Sequence, residues 1–141
     1  MVLPNSYYMR GLIYGTIGSF DKAAKDFKTV LEHGEKHWAV YNDLAWIYFQ
    51  KGDYLNTEKT AQEGLKYTPD SVWLLISRGV ALFNLNKKSE AREILLRAKS
   101  QAEFLTEDDW KRAYPGNNPK MAKDGLEQIK KVIEFNLELV K

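Results

Sequence analysis

Cysteine is absent from the 141 residues, which excludes a disulfide framework, thiolate zinc sites and a catalytic thiol, while leaving the redox compartment open. Excess charge of one sign is missing too. The 21 basic and 19 acidic residues leave a formal +2, too weak a field to gather nucleic acid or anionic lipid. No apolar run approaches the roughly 18 to 20 residues a membrane span needs, and the N-terminus lacks the charged, apolar, small-residue pattern of a secretory signal. The expectation is a soluble chain with no direct membrane insertion and no nucleic-acid partner. The compartment is unknown from sequence, with the cytoplasm as the default for the segment as given.

Catalytic apparatus is equally sparse. No phosphate-binding glycine loop, nucleophile elbow or zinc motif occurs. His33 and His37 stand four apart with Glu32 and Glu35 beside them, a spacing that holds a metal only on a continuous helix, and Gly34 is expected to end the helix between them. The acidic run Glu107, Asp108, Asp109 suits a helix first turn, where it complements the macrodipole, better than a catalytic pair. Lys87-Lys88 and Lys130-Lys131 read as solvated faces. The expectation is therefore no enzyme, no catalytic residues, no metal and no cofactor.

What the chain does contain is a period. Units of 34 residues beginning at Pro4, Trp38 and Val72 align Gly11, Ala45 and Gly79, then Tyr14, Tyr48 and Leu82, then Gly18, Gly52 and Asn86. The first set is small enough for helices to approach closely; the last can take a positive φ in a turn. Beyond the turn, Ala23, Thr57 and Ala91 align, followed by Phe27, Ala61 and Leu95 and by Val30, Gly64 and Ala98, spaced as one face of a second helix. Each unit thus reads as helix, turn, helix, in three blocks of 4–37, 38–71 and 72–105. Helices are expected near 4–17, 20–33, 38–50, 54–67, 71–84 and 88–102.

Past residue 105 this register stops. Thr106 with Asp109 three residues on approximates a capping box for a short helix over 107–113. Tyr114-Pro115-Gly116-Asn117 is a breaker, and Asn118-Pro119 starts a helix running over 118–140. Pairs from Glu127 to Lys131 and from Lys130 to Glu134 support its polar side. Gly125 inside it suggests a close helix crossing. The stretch 106–141 is expected to be a short helix plus a capping helix.

The order small, aromatic, turn glycine, small, large apolar, small resembles the tetratricopeptide repeat family over about residues 4–105, with Pro69 where that family tends to place a proline between units. Glu35 and Glu103 depart from that proline. Arg10 and Arg78 align with the apolar Leu44, and are expected to lay their stems on the core edge and send their charges to water. The resemblance implies an all-α, right-handed superhelical solenoid of helix-turn-helix units. The first unit starts almost at once after Met1 and Val2, as in a domain cut from a longer protein.

In each leading helix one stripe must be buried: Tyr7, Gly11 and Tyr14, then Tyr41, Ala45 and Tyr48, then Leu75, Gly79 and Leu82. At 100° per residue the opposite face carries Tyr8 and Leu12, then Asn42, Trp46 and Phe49, then Trp73, Ile76, Val80 and Phe83. In the family, that face lines the concave groove that holds ligands. Trp46, Phe49, Trp73 and Phe83 could present roughly 600 to 1,000 Å² at about 150 to 250 Å² each, more than the roughly 300 to 600 Å² a monomer usually leaves bare. The groove is expected to take an apolar or aromatic segment of another protein or peptide. Two other coverings compete with it: a second copy joined through the groove or the last helix, or the 118–140 helix folded inward. The family's best-known ligand, the acidic tail of heat-shock chaperones, is held by cations and amides. The matching positions here are Tyr8, Leu12, Asp43, Trp73 and Ser77, none of them a cation, so that ligand is not expected.

Overall fold

The computed structural model describes residues 2–34 and 36–141, with side chains from Ser6 onward. Among these, eight α-helices and no strand occur: α1 (Val2–Thr16), α2 (Phe20–Glu32), α3 (Trp38–Gln50), α4 (Tyr54–Tyr67), α5 (Val72–Asn84), α6 (Lys88–Ala102), α7 (Glu107–Ala113) and α8 (Ala122–Leu139). Helices α1 to α6 form three antiparallel pairs, and each trailing helix also packs on the next leading one, which makes the array a helical solenoid.

The turns within pairs follow from backbone sterics. Gly18, Gly52 and Asn86, one period apart, all sit at positive φ, at 82°, 75° and 62°. Only glycine, or an amide-bearing residue such as asparagine, adopts that conformation cheaply. Side chains start two of the helices: Asp53 caps α4, accepting from the backbone N–H of Asn56 at 3.2 Å, and Ser71 caps α5, accepting from that of Leu74 at 3.4 Å.

Within pairs, side-chain volume is traded between helices. A Cβ on Gly11 would lie 2.8 Å from the Phe27 ring, and one on Gly79 would lie 2.6 Å from Cγ of Leu95. In the middle pair the same two positions hold Ala45 and Ala61, both fully buried. Glycine against a large side chain in α1/α2 and α5/α6, alanine with alanine in α3/α4, keeps the paired helices close.

The structure corrects the expectation for the two arginines. Arg10 does not send its charge to water alone; Nε and one terminal nitrogen each donate to Asp26 at 2.8 Å, and the Asp26 side chain is 3% exposed. Arg78 donates to Glu58 of α4 at 3.0 Å, tying two consecutive pairs together. The Arg10–Asp26 pair is a two-bond fork and the Arg78–Glu58 pair a single bond, and in each a buried or half-buried carboxylate needs its partner.

The C-terminal part also departs in detail. Thr106 and Asp109 form a full capping box on α7, which holds the Asp109 carboxyl below the usual carboxylate range. The Asn118-Pro119 start makes a short 3₁₀ turn over Pro119–Met121 before α8 begins. Glu134 bridges to Lys99 of α6 at 2.8 Å instead of pairing along its own helix, so the bridge helps lay α8 against α6. Gly125 marks a close crossing with Trp110 of α7, whose Nε1 would lie 2.0 Å from an added Cβ.

Candidate functional site

The leading helices α1, α3 and α5 turn their second face to one side of the array. The burial pattern separates the two faces in the second and third units, where Tyr41, Ala45 and Tyr48 and Leu75, Gly79 and Leu82 are buried whereas Asn42, Phe49, Trp73, Ile76, Val80 and Phe83 are half-buried. In the first unit only Gly11 of the expected stripe is buried, and Tyr7 and Tyr14 are half-buried like Tyr8 and Leu12 because no preceding pair covers α1. Trp46 is the outlier, 48% exposed on a helix whose neighbouring residues are covered. Beside it lies a cleft of about 170 Å³ walled by Trp46, Phe49, Ile76, Ser77 and Val80. Its lining contains no ionisable group.

The nine residues do not share one state. Phe49 is tilted against Tyr54 with ring centroids 5.4 Å apart, and Asn42 accepts from the Ser77 hydroxyl at 2.8 Å. Tyr8 donates its hydroxyl to Asp43 at 2.5 Å. Burial lifts the Tyr8 hydroxyl above its ordinary value, with the neighbouring carboxylate adding to the effect. Asp43 is itself raised above the usual carboxylate range because burial outweighs the Tyr8 hydrogen bond.

Trp73 is engaged within the chain. Its indole N–H donates to the Tyr114 hydroxyl at 2.7 Å, and its ring stacks on Trp38 at 4.8 Å. Trp110 of α7 completes the group, 5.0 Å from the Tyr114 ring and 5% exposed. This aromatic cluster covers one end of that second face. The four rings counted from sequence therefore offer less open area than that count implied, because Trp73 is covered by its own chain. The covering comes from α7 and Tyr114, not from α8 folded inward. α8 instead borders this face: Gln128, Ile129 and Val132 share a cavity of about 410 Å³ with Asn42, Trp73 and Ile76.

Sequence reasoning missed Trp38, Trp110 and Tyr114. Trp38 and Trp73 lie 35 residues apart, one period plus one, which was a usable signal for stacking across pairs; Tyr114 lies beyond the repeats and carried none. The histidines have local work. His37 accepts from the backbone N–H of Ala39 at the start of α3, and the Nδ1 of His33 lies 2.7 Å from the Thr29 carbonyl. Glu35 lies outside the described residues. Among those described, no helix is long and apolar enough to cross a membrane.

Comparison with known proteins bears on this architecture. A family model described as "Tetratricopeptide repeat" matches residues 8–56. No curated protein matches the sequence. Among solved structures, the TPR2B domain of yeast Sti1, in a pHsp70 complex, is 14% identical with a TM-score of 0.69, over 95% of this chain and 98% of that one. The TPR domain of Sgt2 from Aspergillus fumigatus is 15% identical with a TM-score of 0.68, over 91% of this chain and 82% of that one. The second TPR domain of human RPAP3, in complex with the Hsp70 peptide SGPTIEEVD, is 18% identical with a TM-score of 0.62, over 90% of this chain and 98% of that one. Matched by the family model over its first helices and by these folds over nearly its whole length, the chain has a tetratricopeptide-repeat fold.

Proposed function

We propose that this chain is a protein-interaction module whose concave groove binds an apolar or aromatic segment of another protein. The observation that carries the reading is Trp46, nearly half exposed at the lip of an uncharged cleft. A large amphipathic ring left open beside a preformed apolar slot is the composition of an interface anchor. Ile76, Val80 and Phe49 form the walls that would exclude water around an inserted side chain. Tyr8, Leu12, Asn42, Phe83 and Trp73 border the same face.

Two of the solved neighbours hold chaperone peptides, one of them the acidic SGPTIEEVD. This groove is built for a different ligand. Its clamp positions offer Tyr8, Leu12, Asp43, Trp73 and Ser77, and the one ionisable carboxyl among them, Asp43, already resists ionisation through burial. A ligand carboxylate brought beside it would meet no charge-assisted donor and would raise the electrostatic cost further.

Selection of random peptides displayed on phage against the whole chain tests this. The expected result is enrichment of sequences with an aromatic or branched apolar anchor. Their binding should fall at least about tenfold on Trp46→Ala, the loss of one well-packed hot spot, with the melting temperature unchanged because the ring is half exposed. Enrichment of acidic C-terminal tails whose binding ignores Trp46→Ala would overturn the reading.

A further inference from the structure

Asp43 of α3 stands apart from the other acids that are not fully exposed. Asp26 and Glu58 are each paired with an arginine, and Asp53 and Asp109 cap helices. Asp43 does neither. Its Oδ2 accepts from the Tyr8 hydroxyl at 2.5 Å, and no basic side chain pairs with it among the described residues. Arg112, which lines a cavity of about 330 Å³ with Tyr8 and Trp38, is already held by Asp109 at 2.5 Å. Among the described residues Oδ1 accepts no hydrogen bond, and no sealed side-chain oxygen lacks a partner, so Oδ1 is open to solvent.

The period shows that this charge is not required by the fold. Residues 8 and 43, moved on by 34, become Asn42 and Ser77, and these two make the equivalent bond between α3 and α5 at 2.8 Å. Two neutral groups therefore suffice to join consecutive leading helices. At the α1/α3 junction the same tie is made with a carboxyl, which burial raises above its ordinary range in spite of the Tyr8 bond. A positive charge brought to Oδ1 would relieve that cost. The surroundings suit one: Tyr114 lies near enough for the Asp43 charge to raise its hydroxyl, and Tyr8 borders the other oxygen. An open carboxylate oxygen beside tyrosine rings offers an organic cation one charge-assisted bond and aromatic faces.

We propose, resting on the groove reading above, that the captured segment carries a lysine or arginine whose charge seats on Asp43 while its apolar anchor enters the Trp46 cleft. Asp43 reaches toward α1 and the cleft lies between α3 and α5, so the two subsites are about one helix spacing apart, roughly 8–10 Å. Extended chain covers that distance in about three residues. The ligand is thus opposite in sign to an acidic tail.

Peptide selection run in parallel on the whole wild-type chain and on Asp43→Asn reads the outcome. Asparagine keeps an acceptor for the Tyr8 hydroxyl, so the melting temperature is expected to hold. Among wild-type peptides whose binding depends on Trp46, lysine or arginine should be enriched about two to four residues from the anchor. That enrichment should vanish on Asp43→Asn. A change on the ligand side leaves the protein untouched: in one such synthetic peptide, norleucine in place of the basic residue is expected to weaken binding about tenfold on the wild-type chain, the loss of one charge-assisted bond. On Asp43→Asn the same replacement should cost less than about twofold. Trp46-dependent peptides without a basic preference overturn the proposal and leave the groove reading intact. A norleucine loss undiminished on Asp43→Asn also overturns it, since the cation would then be held elsewhere. If no selected peptide depends on Trp46, the groove reading fails and this assignment falls with it.

Discussion

Phe27→Ala should destabilise the chain by about 3–5 kcal/mol, the cost of removing a fully buried aromatic ring and leaving a cavity. Phe27 is 1% exposed and packs on the bare backbone of Gly11. The sharper expectation concerns the pair. Gly11→Ala alone should destabilise, since its Cβ would stand 2.8 Å from a ring that cannot retreat. In the Phe27→Ala background the same change should stabilise by about 1 kcal/mol, through better helix propensity and partial filling of the void. The double variant copies the Ala45 and Ala61 arrangement of the middle pair. Urea unfolding of the four proteins measures the coupling; additive effects would show that the two positions do not share a volume.

Gly125→Ala should have the second large effect. The new Cβ would stand 2.0 Å from Nε1 and 2.3 Å from Cε2 of Trp110, so the indole must leave its site. Overpacking of this kind costs about 1–3 kcal/mol even against the propensity gained by alanine. Its consequences should be local. Trp110 touches Tyr114, and Tyr114 holds Trp73, so amide exchange should accelerate in α7 and at the start of α8 while α3 and α4 keep their protection. Uniform acceleration across all helices would mean that α7 and α8 are not a separable cap.

Much of the fold could be read from residues because its causes are local. Gly18, Gly52 and Asn86 occur where a turn demands positive φ, and that demand acts on single residues. Gly11 with Phe27 and Gly79 with Leu95 are legible as traded volumes once the period is known. The arginines were misread because their partners lie on trailing helices, where Asp26 and Glu58 look like ordinary solvent-facing acids until the helix rotation is known. The groove was legible as a face and illegible as a surface. Periodicity assigns Trp73 to the concave side, but only tertiary structure brings Tyr114, 41 residues on, to cover it. The share that α8 takes in bordering the groove depends on its rotation against α6, which capping and composition do not set.

The four tryptophans allow the central claim to be read in one spectrum. With each replaced by 5-fluorotryptophan and the lines assigned by single Trp→Phe variants, a selected apolar peptide is titrated to saturation and the fluorine resonances followed. The Trp46 line is expected to shift with the binding isotherm while the line of buried Trp110 stays in place. A saturated complex in which the Trp46 line has not moved would contradict it.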